Sequence, residues 1–421
     1  MKSRKVKNTF KKGKTLSNIL GIIAEYNPFH NGHLYHIQNA KERANAKYVI
    51  AIITGNFTQR GNASIVNKFE KTKMALENGV DMVIELPTVY SISSAENFAT
   101  GGIKILNELG IITHISFGME ENDISLLNNV ANVLYSEDKT FEKIIKEELD
   151  NGFSFPKARE NAIIRYFKDE KYEKILKGSN NILAIEYLKA LKKQKSNIIP
   201  VGIKREKVFY NSKKIIDEFA SSTGIRSLLT ANDFEEIYRV VPSETFEILM
   251  QNVNNDTFIY DLNAFSDIII YTLRNMKKED IKNLPDVTEG LENKIKEASN
   301  RTNNLIELIN LCKSKRFTQT RIQRILVYAM LGITKKDIEI SKKITPYIRV
   351  LGFNDEGRKL LSEINNKNVI TSLKKFEDNN KNKRIQRMLD IDKKATDIYT
   401  IGYKKNSVSK LDYTTGVIIK K

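Results

Sequence analysis

A doubly wound parallel α/β sheet followed by a mainly α-helical C-terminal half is the fold this sequence predicts, and three observations predict it. Five short runs rich in Ile and Val, at 18–24, 48–54, 81–86, 114–117 and 198–203, are continuously apolar rather than alternating, the pattern of strands covered on both faces. Amphipathic segments at 33–44, 68–78 and 95–109 separate the earlier runs, and strand, helix, strand in succession implies parallel pairing through right-handed crossovers. Beyond about residue 234 helical periodicity takes over, at 234–239, 265–274, 281–298, 301–311 and 321–331.

These signals divide the 421 residues into a basic extension at 1–17, an α/β domain at 18–232 and a mainly helical domain at 233–421. The extension has many Lys and Arg and no acidic residue, and it is expected to be disordered. Residues 19–24 look like a signal-peptide core, but Glu25 interrupts them and no small-residue cleavage site follows, so a first strand is the better reading. The segment 365–387 is dense in Lys and Asn and reads as a mobile basic surface rather than a packed element.

Composition narrows the function classes. A net charge of +18 favours polyanionic partners, although abundant Lys, Asn and Ile also fit a bias in the coding genome. One cysteine, Cys312, excludes an intramolecular disulfide framework or a multi-cysteine zinc site and fits a reducing, cytoplasmic compartment. The longest apolar runs are far too short to span a bilayer, so no membrane partner is expected.

The segments that follow the strands carry the chemistry, because ligands of open α/β sheets bind outside the carboxyl ends of the strands. After the first strand comes His30-Asn31-Gly32-His33, opening a helix that continues through His36, so three of the four histidines fall in one turn region. Imidazoles there can donate to phosphate oxygens, Gly32 leaves room for close approach, and the helix N-terminus adds partial positive charge. Far downstream, Ser221, Ser222, Thr223 and Arg226 open a second helix. Their hydroxyls can be no more than caps, yet hydroxyls, free amides and Arg226 also suit the other half of a triphosphate site.

Together the two segments resemble the nucleotidyltransferase superfamily with a histidine-x-glycine-histidine turn and a serine-serine-threonine-x-x-arginine-like segment. Within it the chain resembles the bacterial tRNA(Met) cytidine acetate ligases, through GIIAEYNPFHNGHL at 21–34, GNFTQRG at 55–61, KMAL at 73–76, DMVIELP at 81–87 and NNIL at 180–183. The resemblance continues through RFTQTRIQRIL at 316–326 and PYIRVLGF at 346–353, so it covers nearly everything after residue 17. Ser179 stands where the family usually has Pro, and the basic extension is additional.

The resemblance implies a Rossmann-like catalytic domain. It also implies a two-step reaction: acetate attacks the α-phosphorus of ATP, pyrophosphate leaves, and the acetyl-adenylate acylates N4 of the wobble cytidine of elongator tRNA(Met), releasing AMP. The implied ATP site is Ile23, Ala24, Glu25, Tyr26, Asn27, Pro28, Phe29, His30, Asn31, Gly32, His33, Leu34, Tyr35 and His36, with Gly118, Asn181, Arg205, Ser222 and Thr223. Asn180 is an alternative to Asn181. Preorganised cations would stabilise charge growing on the phosphates, and His30, His33, Arg226 and Lys68 are the groups expected to do so. Mg²⁺ is expected, if at all, as a ligand of the ATP phosphates rather than of protein side chains. For tRNA the expected contacts are Arg316, Arg321, Arg324 and Arg349, with Phe317 and Tyr347 as stacking partners; part of 321–326 must also pack as core.

Two other readings remain open at this point: a small-molecule adenylyltransferase of a cofactor pathway, and a non-catalytic RNA-binding protein with a relic nucleotide pocket. The long helical second half argues against the first, and the intact histidine turn against the second.

Overall fold

The computed structural model describes residues 17–121, 123–136, 138–153, 155–205 and 220–421. The expectation for the basic extension, apart from Ser17, lies outside the described residues.

Among the described residues eight strands form one sheet: β1 (Asn18–Ala24), β2 (Ala46–Thr54), β3 (Met82–Leu86), β4 (His114–Met119), β5 (Ile199–Lys204), β6 (Ile348–Phe353), β7 (Val369–Ile370) and β8 (Ile418–Ile419). Their order is β5-β4-β1-β2-β3-β6-β7, with β8 also paired to β6. The first five are parallel neighbours, so the order reverses between β1 and β4 and leaves a crevice at their carboxyl ends.

The continuous apolar runs are explained by helices on both faces. Ile19 and Ile23 of β1, Ile50 and Ile52 of β2, and Ile84 of β3 join one core with Phe98 and Leu106 of the helix Ala95–Leu109 and Tyr187 of the helix Ser179–Lys193. Leu20, Ile22, Val49, Ala51, Ile53 and Val83 face the other side, with Ile37 and Ala40 of the helix Asn31–Arg43 and Met74 of the helix Lys68–Glu77. Alternate side chains thus enter opposite layers, and neither face can be polar.

The second half is mainly helical, but it also completes the sheet. Strand β6 runs antiparallel to β3, pairing Met82 with Phe353 and Glu85 with Arg349. The helix expected over 281–298 is two, Lys278–Lys282 and Leu291–Arg301. Pro285 disfavours helical backbone before it, and Asp286, Glu289 and Gly290 take positive φ. Residues 365–387, expected to be a loose surface, contain β7, the helix Leu373–Asn379 and the start of the helix Lys383–Ile401, with Ile370, Leu373 and Ile385 buried.

The halves are joined by charge. Lys68 Nζ lies 2.7 Å from both Glu85 and Asp412, and Arg349 lies 3.2 Å from Glu85 and 2.9 Å from Asp412. All four side chains are at most 6% exposed. Removing one member leaves its partners buried without compensation, so Lys68→Met is expected to cost about 3–5 kcal/mol in urea unfolding.

A second junction depends on glycine. At Gly61, where φ is +73°, a Cβ would stand 2.4 Å from the backbone nitrogen of Arg324. Gly79 has φ +93° but open space around its Cβ position. Gly61→Ala should therefore destabilise by about 2–4 kcal/mol, from strain plus overpacking, whereas Gly79→Ala should lose only the conformational share, about 1–2 kcal/mol. Equal urea midpoints for the two variants would contradict this account of the junction.

Candidate active site

The carboxyl ends of β1 and β4 open into a cavity of about 480 Å³. Its wall includes Ile23, Ala24, Glu25 and Tyr26 from the end of β1, His30, Gly32, His33 and His36 from the turn and helix beyond, Phe117 and Gly118 from β4, Arg205 after β5, and Ser222.

The histidine turn is built by capping. His30 is the N-cap of the helix Asn31–Arg43; its Nδ1 accepts from Gly32 N at 3.1 Å, while His33 Nδ1 accepts from His30 N at 3.3 Å. The rings stack, with centroids 3.7 Å apart. Because each Nδ1 is an acceptor, a neutral ring carries its proton on Nε2 and presents a donor there. Burial pushes His30 down to about 3 and His36 to about 4, with the Arg205 charge adding to both. Burial and the charges of His30, Arg205 and His36 hold His33 well below the usual histidine range. At neutral pH the imidazoles are neutral donors, not the cations expected from sequence, and Arg205 supplies positive charge beside them. His36 Nε2 is 2.8 Å from Ser116 Oγ, which ties this helix to β4.

Beneath the turn, Lys71 is fully buried and unites two strand ends. Its Nζ donates to Glu25 O at 3.0 Å, Thr54 O at 2.7 Å and Gly55 O at 2.7 Å. The Gly55–Gly61 stretch is further fixed by Glu25 Oε1, which accepts from Gln59 N at 2.8 Å, and by Gln59 Nε2, which donates to Ser93 O at 2.8 Å. The hydroxyls of Tyr26 and Tyr187 are buried in the cavity wall and find no hydrogen-bond partner among the described residues. Buried polar groups ordinarily have partners, so these two point to polar atoms supplied by a ligand.

The expected site residues separate by position. Within 23–36, Asn27 instead accepts from Ile65 N at 2.7 Å, Phe29 is core, Asn31 donates to Arg239 O, and Pro28, Leu34 and Tyr35 are not in the cavity wall. A Cβ on Gly118 would meet Arg205 Cγ at 3.3 Å, so its bareness makes room for that arginine. Asn180 lines the cavity and accepts from Arg205 at 3.4 Å, whereas Asn181 is buried and accepts from the amides of Glu120 and Glu121. In the second segment Ser221 caps the helix Ser222–Ala231 and Ser222 reaches the cavity. Thr223 is exposed, and Arg226 lies one turn on, where its charge acts on Lys71 and Tyr399.

Three expectations are corrected by burial. Lys68 is sealed in the ion cluster and is not in the cavity wall, so it cannot face phosphates. Arg349 is 5% exposed in the same cluster, out of reach of an RNA backbone. Tyr347 is fully buried against Asp392, and Phe317 lies beneath the Arg321 guanidinium, so neither offers a free face for a base. Arg316 is exposed beside Glu289; Arg321 donates to Asp286 O and Arg324 pairs with Asp286 at 2.9 Å. The sequence reading missed Gln59, Arg60, Ala95, Phe98, Tyr187 and Thr320, which all line the cavity. QRG in the 55–61 motif was a signal for the first two.

Among the described residues no group of three or more His, Cys, Asp or Glu could hold a metal ion, and no helix there is long and apolar enough to cross a membrane.

The depressed histidines have a pH consequence. The unfolded chain takes up protons near pH 6.5 that the folded site refuses until about pH 3–4. Stability is therefore full above pH 6.5 and declines as pH falls through that window. His30→Asn retains a capping acceptor and removes one titrating ring. Its unfolding free energy in urea should stay within about 1 kcal/mol of the parent at pH 7.5, and it should lose less than the parent at pH 5.

Comparison with known proteins places this geometry in a family. Residues 17–413 match the model of the HIGH Nucleotidyl Transferase family. The chain is 46% identical over 400 residues to a tRNA(Met) cytidine acetate ligase of Thermoanaerobacter sp. (strain X514), covering 94% of this chain and 98% of that protein. It is 44% identical over 401 residues to the ligase of the same name from Caldanaerobacter subterraneus subsp. tengcongensis, covering 95% and 99%. Crystal structures of Thermotoga maritima TmcAL superpose with TM-scores of 0.92 for the apo form and 0.90 for the form bound with α-thio ATP. Each is 33% identical and covers 96% of this chain and 99% of that one. The sheet order, the histidine turn at its switch point and these matches together show that the chain belongs to the tRNA(Met) cytidine acetate ligase family of HIGH nucleotidyltransferases.

Proposed function

We propose that this protein activates acetate with ATP and transfers the acetyl group to N4 of the wobble cytidine of elongator tRNA(Met). One observation carries the reading: His30, His33, Arg205 and Ser222 converge on a single cavity at the β1/β4 switch point. A relative of the same fold, 33% identical, has been solved with α-thio ATP.

In the first step an acetate oxygen bonds to the α-phosphorus, the bond to the α,β-bridging oxygen breaks, and the electron pair leaves with pyrophosphate. Negative charge grows on the phosphate oxygens, and Nε2–H of His30 and His33 and the Arg205 guanidinium are preorganised to receive it. Donors already held in a buried site need no reorganisation at the moment of reaction. Arg226 adds positive charge from behind the Ser222 turn, and Thr223 lies at that helix start. In the second step N4 bonds to the acetyl carbon, and AMP and a proton are lost. Phosphate-bound Mg²⁺ would add further charge neutralisation, and the residues named here act on the phosphates without holding it.

The tRNA approaches on the side of the helix Gln319–Leu331, whose Thr320 is in the cavity wall and which carries Arg321 and Arg324, with Arg316 just ahead of it. The charge of +18 supports a polyanionic partner.

Purified protein with ATP, labelled acetate and tRNA should give acetate-dependent pyrophosphate release and label recovered as N4-acetylcytidine. ATP turnover that ignores acetate but needs a phosphorylated vitamin precursor would support an adenylyltransferase instead, and no turnover at all would support a binding protein. His33→Ala should lower turnover about 10²–10³-fold, as loss of one preorganised donor does. His33→Gln, which places an amide near the Nε2 position, should retain more.

A further inference from the structure

The helix Ser179–Lys193, which brings Asn180 to the cavity, begins without a cap of its own. Its N-cap residue is Gly178, which has no side chain to accept the first free amides. Glu120, just past β4, supplies the acceptor from another segment: Oε1 takes the Asn180 amide at 3.1 Å, and Oε2 takes the Asn181 amide at 2.8 Å. Asn181 returns the contact, its Oδ1 accepting from the amides of Glu120 at 2.9 Å and Glu121 at 3.3 Å. Gly178 is bare for a spatial reason. Its φ of −83° suits any residue, but a Cβ there would stand 2.5 Å from Glu120 Oε2.

One contact of this carboxylate does more than cap. Glu120 Oε1 also accepts from the side-chain Nδ2 of Asn180 at 2.7 Å, a shorter contact than either backbone one. An amide whose nitrogen is taken by a carboxylate turns its oxygen the other way, and Asn180 Oδ1 accepts from Arg205 Nη1 at 3.4 Å. Arg205 is also fixed at its backbone, where its N donates to Met119 O at 2.8 Å. Asn180 and Arg205 both line the cavity. Without the carboxylate the Asn180 amide is free to rotate and to set its NH2 against the guanidinium, donor against donor. We infer that Glu120 is a positioning residue for nucleotide binding: it orients the Asn180 amide, and Asn180 in turn holds the Arg205 guanidinium in the cavity. This role rests on the ATP-using reading above.

Calorimetric titration of the full chain with ATP, in the absence of acetate and tRNA, tests the role. Glu120→Ala should weaken ATP binding about tenfold, the scale of a hydrogen bond to a charged group. Gly178→Ala keeps Glu120 but drives its carboxylate off the helix start, and should weaken binding to a similar extent. Capping alone would act in any background, whereas positioning must pass through the Asn180 side chain. In an Asn180→Ala background, Glu120→Ala should therefore change ATP affinity less than about twofold, while the thermal midpoint still falls because the backbone contacts are lost there too. Parent-like affinity in Glu120→Ala and Gly178→Ala overturns the role, and so does an equal loss with and without the Asn180 side chain. Should Glu120→Ala fail to fold, Gly178→Ala, alone and with Asn180→Ala, decides in the same way. Parent protein that does not bind ATP would instead sink the functional reading itself, and the role with it.

Discussion

Two cations and two carboxylates cannot be buried one at a time. Lys68, Arg349, Glu85 and Asp412 come from the helix after β2, from β6, from β3 and from the last helix, and each has counter-charges within 3.2 Å. Desolvating any one alone would be prohibitive, so the four segments become buried together or not at all. This constraint attaches the chain after residue 340 to the parallel sheet and makes β6 its next strand. It also places the helix Gln319–Leu331 against the Gly55–Gly61 loop, where Gly61 admits the Arg324 backbone. A cavity wall drawn from both halves follows from that docking.

Within the cavity, geometry is held from behind. Lys71 gives its ammonium protons to three carbonyls at the ends of β1 and β2, so the histidine turn and the Gln59–Arg60 loop keep a fixed separation. The histidines are positioned by their own helix start, where capping uses Nδ1 and leaves Nε2 for a ligand. One set of hydrogen bonds thus settles both the ring orientation and the tautomer. The positive charge beside the histidine turn comes from Arg205, and a guanidinium keeps its charge on burial at neutral pH. Imidazoles crowded beside it stay neutral.

Much of the first half was legible because its signals are local. Continuous Ile and Val runs mark strands buried on both faces, and β1 to β5 appear within a few residues of where periodicity puts them. The histidine turn was legible because strand, turn and helix are adjacent in the chain. What failed has a common cause. Lys68, Arg349, Phe317 and Tyr347 are residue types that serve phosphates and bases when exposed, and exposure is not written in a linear pattern. Asn180 and Asn181 show the same limit: adjacent amides on one helix, of which one lines the cavity and the other secures the Glu120–Glu121 backbone. Strand β6 was read as motif rather than strand because its pairing partner, β3, lies some 260 residues earlier in the chain.

The sequence by itself determined the layered α/β core, the helical character of the second half, and a turn of imidazoles opening a helix after the first strand, since these depend on side-chain period and on residues a few positions apart. Only the tertiary structure decided which charges face the cavity and which neutralise one another in the interior. It also decided that Arg60, Ala95 and Tyr187, from three separate segments, line one cavity. Such assignments depend on long-range packing and on the cost of desolvating each group, and both are properties of the folded whole.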